Sequence, residues 1–247
     1  MTPTKLKTQN SYIRKKSSSL TLKTRKKRRL PKLTSHKIRP HQKEEKRLAE
    51  NGYHLAAGLD EVGRGCLAGP VVASAIILPY NRRPRWLKEV KDSKFLTAEK
   101  REYLYEKLTK IAIAHGTGIV SPEEIDQFGI MKAVRLAMKL ALEQLTPPAD
   151  SLLIDHFKLP ESDLPQWGVA NGDTLCRSIA CASIIAKVTR DRLMIELDKE
   201  YPGYGLAHHK GYATRAHYTA IARLGLSPIH RRSFCESAEL TISEDEE

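Results

Sequence analysis

Two adjacent acids, Asp60 and Glu61, close a short apolar run and stand directly before the turn Gly63-Arg64-Gly65. Carboxylates at such a point can hold metal ions, and glycines on both sides of Arg64 remove the Cβ atoms that would keep a bulky anion from the backbone N–H groups. The combination points to phosphodiester chemistry. A third acid, Asp155, follows Leu152-Leu153-Ile154 and so belongs at the carboxyl end of a buried strand, where open α/β sheets place their sites. Ser183, Lys187 and Asp191 are spaced four apart and share one face of a helix. Brought together, Asp60, Glu61, Asp155 and Asp191 would repel one another unless divalent cations intervened. Magnesium takes oxygen ligands and keeps water, and two ions about 4 Å apart would stabilise the entering and leaving oxygens of an in-line displacement. Each piece also has a plainer reading: a solvated Asp-Glu turn, or a surface ion pair between Lys187 and Asp191. Asp173, just ahead of the long helix, reads as a cap.

The elements that must position these residues follow from periodicity and punctuation. His54 to Leu59 reads as a short strand and Val71 to Leu78, between two prolines, as a longer buried one. A helix is expected from about Ala98 to Ile111, a strand from Ile113 to Val120, and a helix from Met131 to Leu145 that stops before Pro147-Pro148. Leu152 to Ile154 is a third clear strand, Cys176 to Glu200 a long helix, and Thr214 to Leu224 a shorter one. Strands followed by alternation with helices give a mixed α/β domain, a sheet flanked by helices with a helical C-terminal part.

The formal charge of +13 over 247 residues is uneven. Residues 1–47 carry 17 Lys and Arg against Glu44 and Glu45, and residues 48–247 are slightly acidic at −2. Residues 1–47 are therefore expected as a disordered basic tail that adds salt-sensitive, sequence-independent nucleic-acid affinity. Residues 48–236 form the expected catalytic domain, and 237–247 an acidic end. No stretch approaches the roughly 18 apolar residues of a membrane span. The tail lacks the apolar segment of a secretory signal, although it overlaps the composition of an organelle transit peptide, and a cytoplasmic location is expected. Cys66, Cys176, Cys181 and Cys235 show no zinc-site spacing and are expected to be reduced.

Six segments together resemble the bacterial ribonuclease HII family: Gly58 to Val72, Asp92-Ser93-Lys94, Leu153-Ile154-Asp155, Ser178 to Asp191, His209-Lys210-Gly211-Tyr212 and His230 to Phe234. They occur in the family's order over about residues 52–236, which is far more specific than any single short motif. The resemblance implies a ribonuclease H-like fold and an Mn2+- or Mg2+-dependent endonuclease, expected to act as a monomer. Its substrates would be RNA–DNA hybrids and duplex DNA with embedded ribonucleotides. It implies Asp60, Glu61, Asp155 and Asp191 as the metal-binding catalytic acids. It further implies that Gly63, Arg64 and Gly65 read a ribose 2′-hydroxyl, that Tyr212 packs on the deoxyribose next to it, and that Ser93, Lys94, Ser183 and Lys187 contact phosphate. The 2′-hydroxyl is the group that separates RNA from DNA at one site. His156, where the family commonly has glycine, and Phe95, where lysine is frequent, depart from the pattern.

Two other classes fit less well. Gly63-x-Gly65-x-x-Ala68 matches a dinucleotide fingerprint, but that fingerprint must open a helix, and here a β-branched run follows. A purely binding protein should be basic across its folded face, unlike residues 48–247. Within the nuclease class, ribonuclease HIII generally has glutamate as its fourth acid and a folded N-terminal domain.

Overall fold

A computed structural model describes residues 39–79, 81–82 and 84–236. Five strands, β1 (Ala56–Val62), β2 (Val71–Ile77), β3 (Ala114–Val120), β4 (Ser151–Asp155) and β5 (Gln166–Val169), form one sheet in the order β3-β2-β1-β4-β5. β1, β2 and β3 are antiparallel neighbours, whereas β4 and β5 run parallel to β1. The sheet is covered on both faces, so β2 is buried along its whole length and needs no polar alternation.

The strand period of two sorts the core into two layers. Ala57, Leu59, Val71, Ala73 and Ala75 pack with Ala133, Val134, Ala137, Met138 and Ala141 of helix α4 (Ile130–Glu143). On the opposite face Ile76 packs with Leu104 and Leu108 of α2 (Ala98–Ile111) and with Ala180, Cys181, Ile184 and Ile185 of the long helix α6 (Arg177–Glu200). A smaller core gathers Ala68, Met194, Tyr204, Leu206, Ala220 and Ile229 around α7 (Leu206–His209) and α8 (Arg215–Leu224), the helical C-terminal part.

The expected helices and strands are present, with α2 at its expected bounds and β1 running on through both acids to Val62. Sequence periodicity missed α3 (Pro122–Phe128), α5 (Gly172–Leu175), α7 and β5, most of them single turns or four-residue pieces too short to show a period.

The expected boundary at residue 47 is corrected. Helix α1 (Lys43–Glu50) starts before it and buries Glu45 and Leu48. Glu45 accepts a hydrogen bond from the Ser178 backbone N–H at 2.8 Å and one from the Cys176 thiol at 3.3 Å, so it caps a helix whose own N-cap, Cys176, makes no side-chain capping bond. A carboxylate there satisfies an orphan donor and meets the positive end of the helix dipole. Glu45→Ala is expected to cost about 1–2 kcal/mol, read from urea unfolding. Residues 1–38 of the expected tail and the acidic end at 237–247 lie outside the described residues.

Candidate active site

Parallel pairing of β1 with β4 sets Leu59 opposite Ile154, so Asp60 and Asp155 come abreast one residue further on, at the same edge of the sheet. There a cleft of about 360 Å³ is lined by Asp60, Glu61, Gly63, Arg64, Ser93, Lys94, Asp155, His156, Asp173, Ser183 and Lys187 among others. It opens at the carboxyl end of the strand, and both members of the Asp60-Glu61 pair line it.

Asp60 is 6% exposed. Burial, the Glu61 charge and the Asp155 charge push its carboxyl well above the usual carboxylate range, against a hydrogen bond from Ser183. Burial also raises Glu61, against the opposing pull of Arg64, whose guanidinium donates to Glu61 Oε1 at 3.0 Å. Glu61 Oε2 is buried with no hydrogen-bond partner. Asp155 is raised by burial and by Asp173, while the Gly172 N–H donates to its Oδ1 at 2.6 Å and lowers it. The Lys94 ammonium lies 3.3 Å from Asp173. Burial opposes the Lys94 charge, but Asp92 and Asp173 outweigh it and its pKa is raised. Four carboxylates thus crowd a cleft whose counter-charges are Arg64, Lys94 and Lys187.

Nine of the twelve sequence-assigned residues line the cleft; Gly65 and Tyr212 lie beyond it, and Asp191 does not join the acids there. Asp191 lines a neighbouring hollow of about 430 Å³ with Arg101, Lys187, His208, His209, Lys210 and Tyr212. Its Oδ1 accepts from Lys187 at 2.7 Å and its Oδ2 from Arg101 at 3.3 Å. The four-residue stripe on α6 is real, but Lys187 borders both hollows, and one turn further Asp191 has passed out of the cleft. The acid that takes the fourth place is Asp173. Its reading as a cap is also corrected: Asn171 is the N-cap of α5, and the Asp173 carboxylate bonds Lys94. The available signal was an acid in a glycine turn ahead of the helix that carries Ser183 and Lys187.

Ser93 Oγ and Ser183 Oγ are 2.8 Å apart, and Arg101 donates to the Ser93 and Leu96 carbonyls as well as to Asp191. The Ser93–Lys94 turn is therefore tied to α6. Asp191 holds Lys187 and Arg101 in that network.

Two buried guanidiniums organise the glycine turn. Arg190 donates to the carbonyls of Ala68, Pro70 and Lys210. Arg231 donates to those of Arg64 and Gly69. Gly63 has φ +92°, and a Cβ there would lie 2.3 Å from Arg190 Nε, so this position needs glycine on both counts. His156 adopts φ 62°, a left-handed conformation that glycine takes at no steric cost, which accounts for the family's preference for glycine here. Its Nε2 is 3.9 Å from Asp155 Oδ1.

Among the described residues no three His, Cys, Asp or Glu side chains are grouped so as to hold a metal ion as they stand. The chemistry of the cleft still fits divalent cations: hard oxygen donors, burial and mutual repulsion that together raise three carboxyl pKa values, and the unpartnered Glu61 Oε2.

The family model for ribonuclease HII matches residues 57–237. A ribonuclease HII of Dehalococcoides mccartyi (strain BAV1) is 57% identical over 197 residues, covering 80% of this chain and 93% of the relative. One from Geobacillus kaustophilus is 50% identical over 196 residues, covering 79% and 74%. Among solved structures, the ribonuclease HII in a complex with PCNA from Archaeoglobus fulgidus aligns with a TM-score of 0.62 and 28% identity over 74% of this chain and 94% of that one. Ribonuclease H2 from Pyrococcus horikoshii gives 0.59 and 28% over 72% and 92%. Fold and similarity together define a ribonuclease H-type endonuclease, a hydrolase of phosphodiester bonds. Within that class, the chain belongs to the ribonuclease HII family. Among the described residues no helix is long and apolar enough to cross a membrane.

Proposed function

We propose that this enzyme cuts the RNA strand of RNA–DNA hybrids and incises duplex DNA on the 5′ side of single ribonucleotides, leaving 3′-hydroxyl and 5′-phosphate ends. The observation that carries this reading is the convergence of Asp60, Glu61, Asp155 and Asp173 beside the Gly63-Arg64-Gly65 turn. Those four acids would hold two divalent cations, Mg2+ or Mn2+. Bound there, the cations supply Lewis acidity to the phosphate and a water of lowered pKa. Arg64 and the turn bring backbone N–H groups and a positive charge to the ribose next to the scissile phosphate. Ser93, Lys94 and Lys187 offer hydrogen bonds and charge to phosphate oxygens, and the Ser93–Ser183 contact with the Arg101–Asp191–Lys187 network holds them in register. Tyr212, 38% exposed, presents its ring at the edge of the neighbouring hollow, where a sugar lacking a 2′-hydroxyl would pack. Four buried cysteine thiols support a reducing, cytoplasmic setting, and the family likeness supports a monomer.

The test is a labelled duplex with one ribonucleotide, incubated with Mg2+, Mn2+ or EDTA, and the cut mapped. Metal-dependent incision 5′ to the ribonucleotide is the expected result; binding without incision in either metal would overturn the reading.

The raised carboxyl pKa values give a second outcome. In the folded, metal-free protein Asp60 holds its proton to higher pH than it would unfolded, so its contribution is fully present below the ordinary carboxylate pKa. That contribution is lost as pH rises through the folded value. Near neutral pH an ionised Asp60 is a liability, and Asp60→Asn is expected to melt higher than the parent in EDTA while losing cleavage. Melting curves at several pH values, with the gap closing toward low pH, check this.

A further inference from the structure

The loop that carries Tyr212 has little regular structure of its own: Lys210 and Gly211 take φ 54° and 79° in succession. Arg190 and the Cys66 bridge hold its backbone from one side, and a file of imidazoles holds it from the other. The Tyr212 carbonyl can only accept, so His217 Nδ1, at 3.0 Å, carries the proton. Burial keeps His217 neutral down to a pKa of about 4, which leaves its Nε2 as a bare acceptor. His230 Nε2, 3.1 Å away, must then be the donor. That assigns the other His230 nitrogen as acceptor, and Nδ1 indeed receives the Ser227 N–H at 3.0 Å, with the Ser227 hydroxyl at 2.8 Å. Each link fixes the tautomer of the next.

Both rings are enclosed, His217 at 0% and His230 at 3% exposure. His209 stacks on His217 with centroids 4.2 Å apart; its Nδ1 accepts from the Gly211 N–H and its Nε2 faces the Tyr204 carbonyl at 2.8 Å. The Tyr204 ring closes the far side, 4.9 Å from His230. Among the described residues no carboxylate or cationic side chain hydrogen-bonds to this trio. Three histidines with directional hydrogen bonds are more than packing requires, since apolar side chains would fill the space without those links.

We propose that the His230–His217 file is a positioning device for Tyr212, setting its ring over the hollow and thereby the enzyme's preference for RNA-to-DNA junctions. The inference rests on the role given to Tyr212 above.

The experiment compares kcat/KM on a duplex with one ribonucleotide and on an all-RNA hybrid. Its variants are His217→Phe, His217→Asn, Tyr212→Ala and the double variant H217F/Y212A. His217→Phe keeps the ring volume without the donor and should lower junction cleavage by about tenfold, the equivalent of one lost hydrogen bond, while hybrid cleavage changes less than about twofold. His217→Asn, whose amide N–H can take the place of Nδ1–H, should restore most of the loss. Added to Tyr212→Ala, His217→Phe should cause no further loss of preference, because both act through one ring. Equal losses on the two substrates, or full additivity in the double variant, would overturn the inference. Tyr212→Ala that loses both substrates alike would overturn the role of Tyr212 itself, and the inference with it. His230→Phe, which cuts the file at its far end and spares His217, repeats the test should His217→Phe fail to fold, with a loss in the same direction expected.

Discussion

Asp173→Asn is expected to lose cleavage by about a thousandfold or more, because a cation site that loses a ligand forfeits several kcal/mol of transition-state stabilisation. Asp191→Asn should behave differently. Its carboxylate touches Lys187 and Arg101 and lies outside the acid cleft, so the loss should be about ten- to a hundredfold, the range of partners that orient a site from behind it. The titration with Mn2+ separates the two further. Asp173→Asn should shift the Mn2+ concentration needed for half-maximal rate, whereas Asp191→Asn should leave it in place and raise KM for the duplex through a misplaced Lys187. An Asp191→Asn enzyme as inactive as Asp173→Asn, with the metal requirement shifted alike, would return Asp191 to the cation site.

Gly58→Ala should be strongly destabilising, although it adds only one methyl group. Here α6 crosses β1, and a Cβ on residue 58 would sit 2.3 Å from the Ser178 carbonyl carbon and 2.6 Å from the Ile179 nitrogen. Those are backbone atoms inside a helix, so no rotamer change relieves the clash and the helix must move off the sheet. Overpacking of this kind costs about 3 kcal/mol or more, which in a domain of this size is about 6–12 °C of melting temperature. The same shift displaces Ser183 and Lys187 from the cleft, so activity should fall below what the folded fraction explains. Thermal unfolding, paired with specific activity well below the melting point, reads both effects.

Much of the architecture was legible because its signals are long. The buried run of β2 between two prolines, the apolar stripe of α4 and the carboxyl-end position of Asp155 each span enough residues for a period or a boundary to stand out. Asp60, Glu61 and Asp155 do lie at one edge of the sheet, a placement that depends only on strand direction. Asp191, expected beside them, lines the neighbouring hollow. Residues 183, 187 and 191 do share a face of α6, but helix periodicity says nothing about where along its length a helix leaves the cleft. Asp173 sits in a single turn whose place is set by the Gly172–Asp155 hydrogen bond and by β5, four residues long; neither leaves a trace in local sequence. Glu45 was hidden for a related reason. It lies in a basic stretch that composition alone reads as unstructured, and its partner, the N–H of Ser178, is 133 residues away.

Arg231 ties the Arg64 carbonyl of the glycine turn, with Gly69, to the C-terminal segment, and Arg190 on α6 ties Ala68 and Pro70 to the Lys210 carbonyl in the Tyr212 loop. Cys66 and Tyr212 are bridged strand-fashion besides. With the proposed roles, the part that feels for a hydroxyl and the part that feels for its absence are the two jaws of one rigid caliper. Its opening is set by buried arginines that never meet the nucleic acid, so the length it gauges, a single sugar step, is a property of the protein's interior and is insensitive to how firmly the duplex is gripped elsewhere.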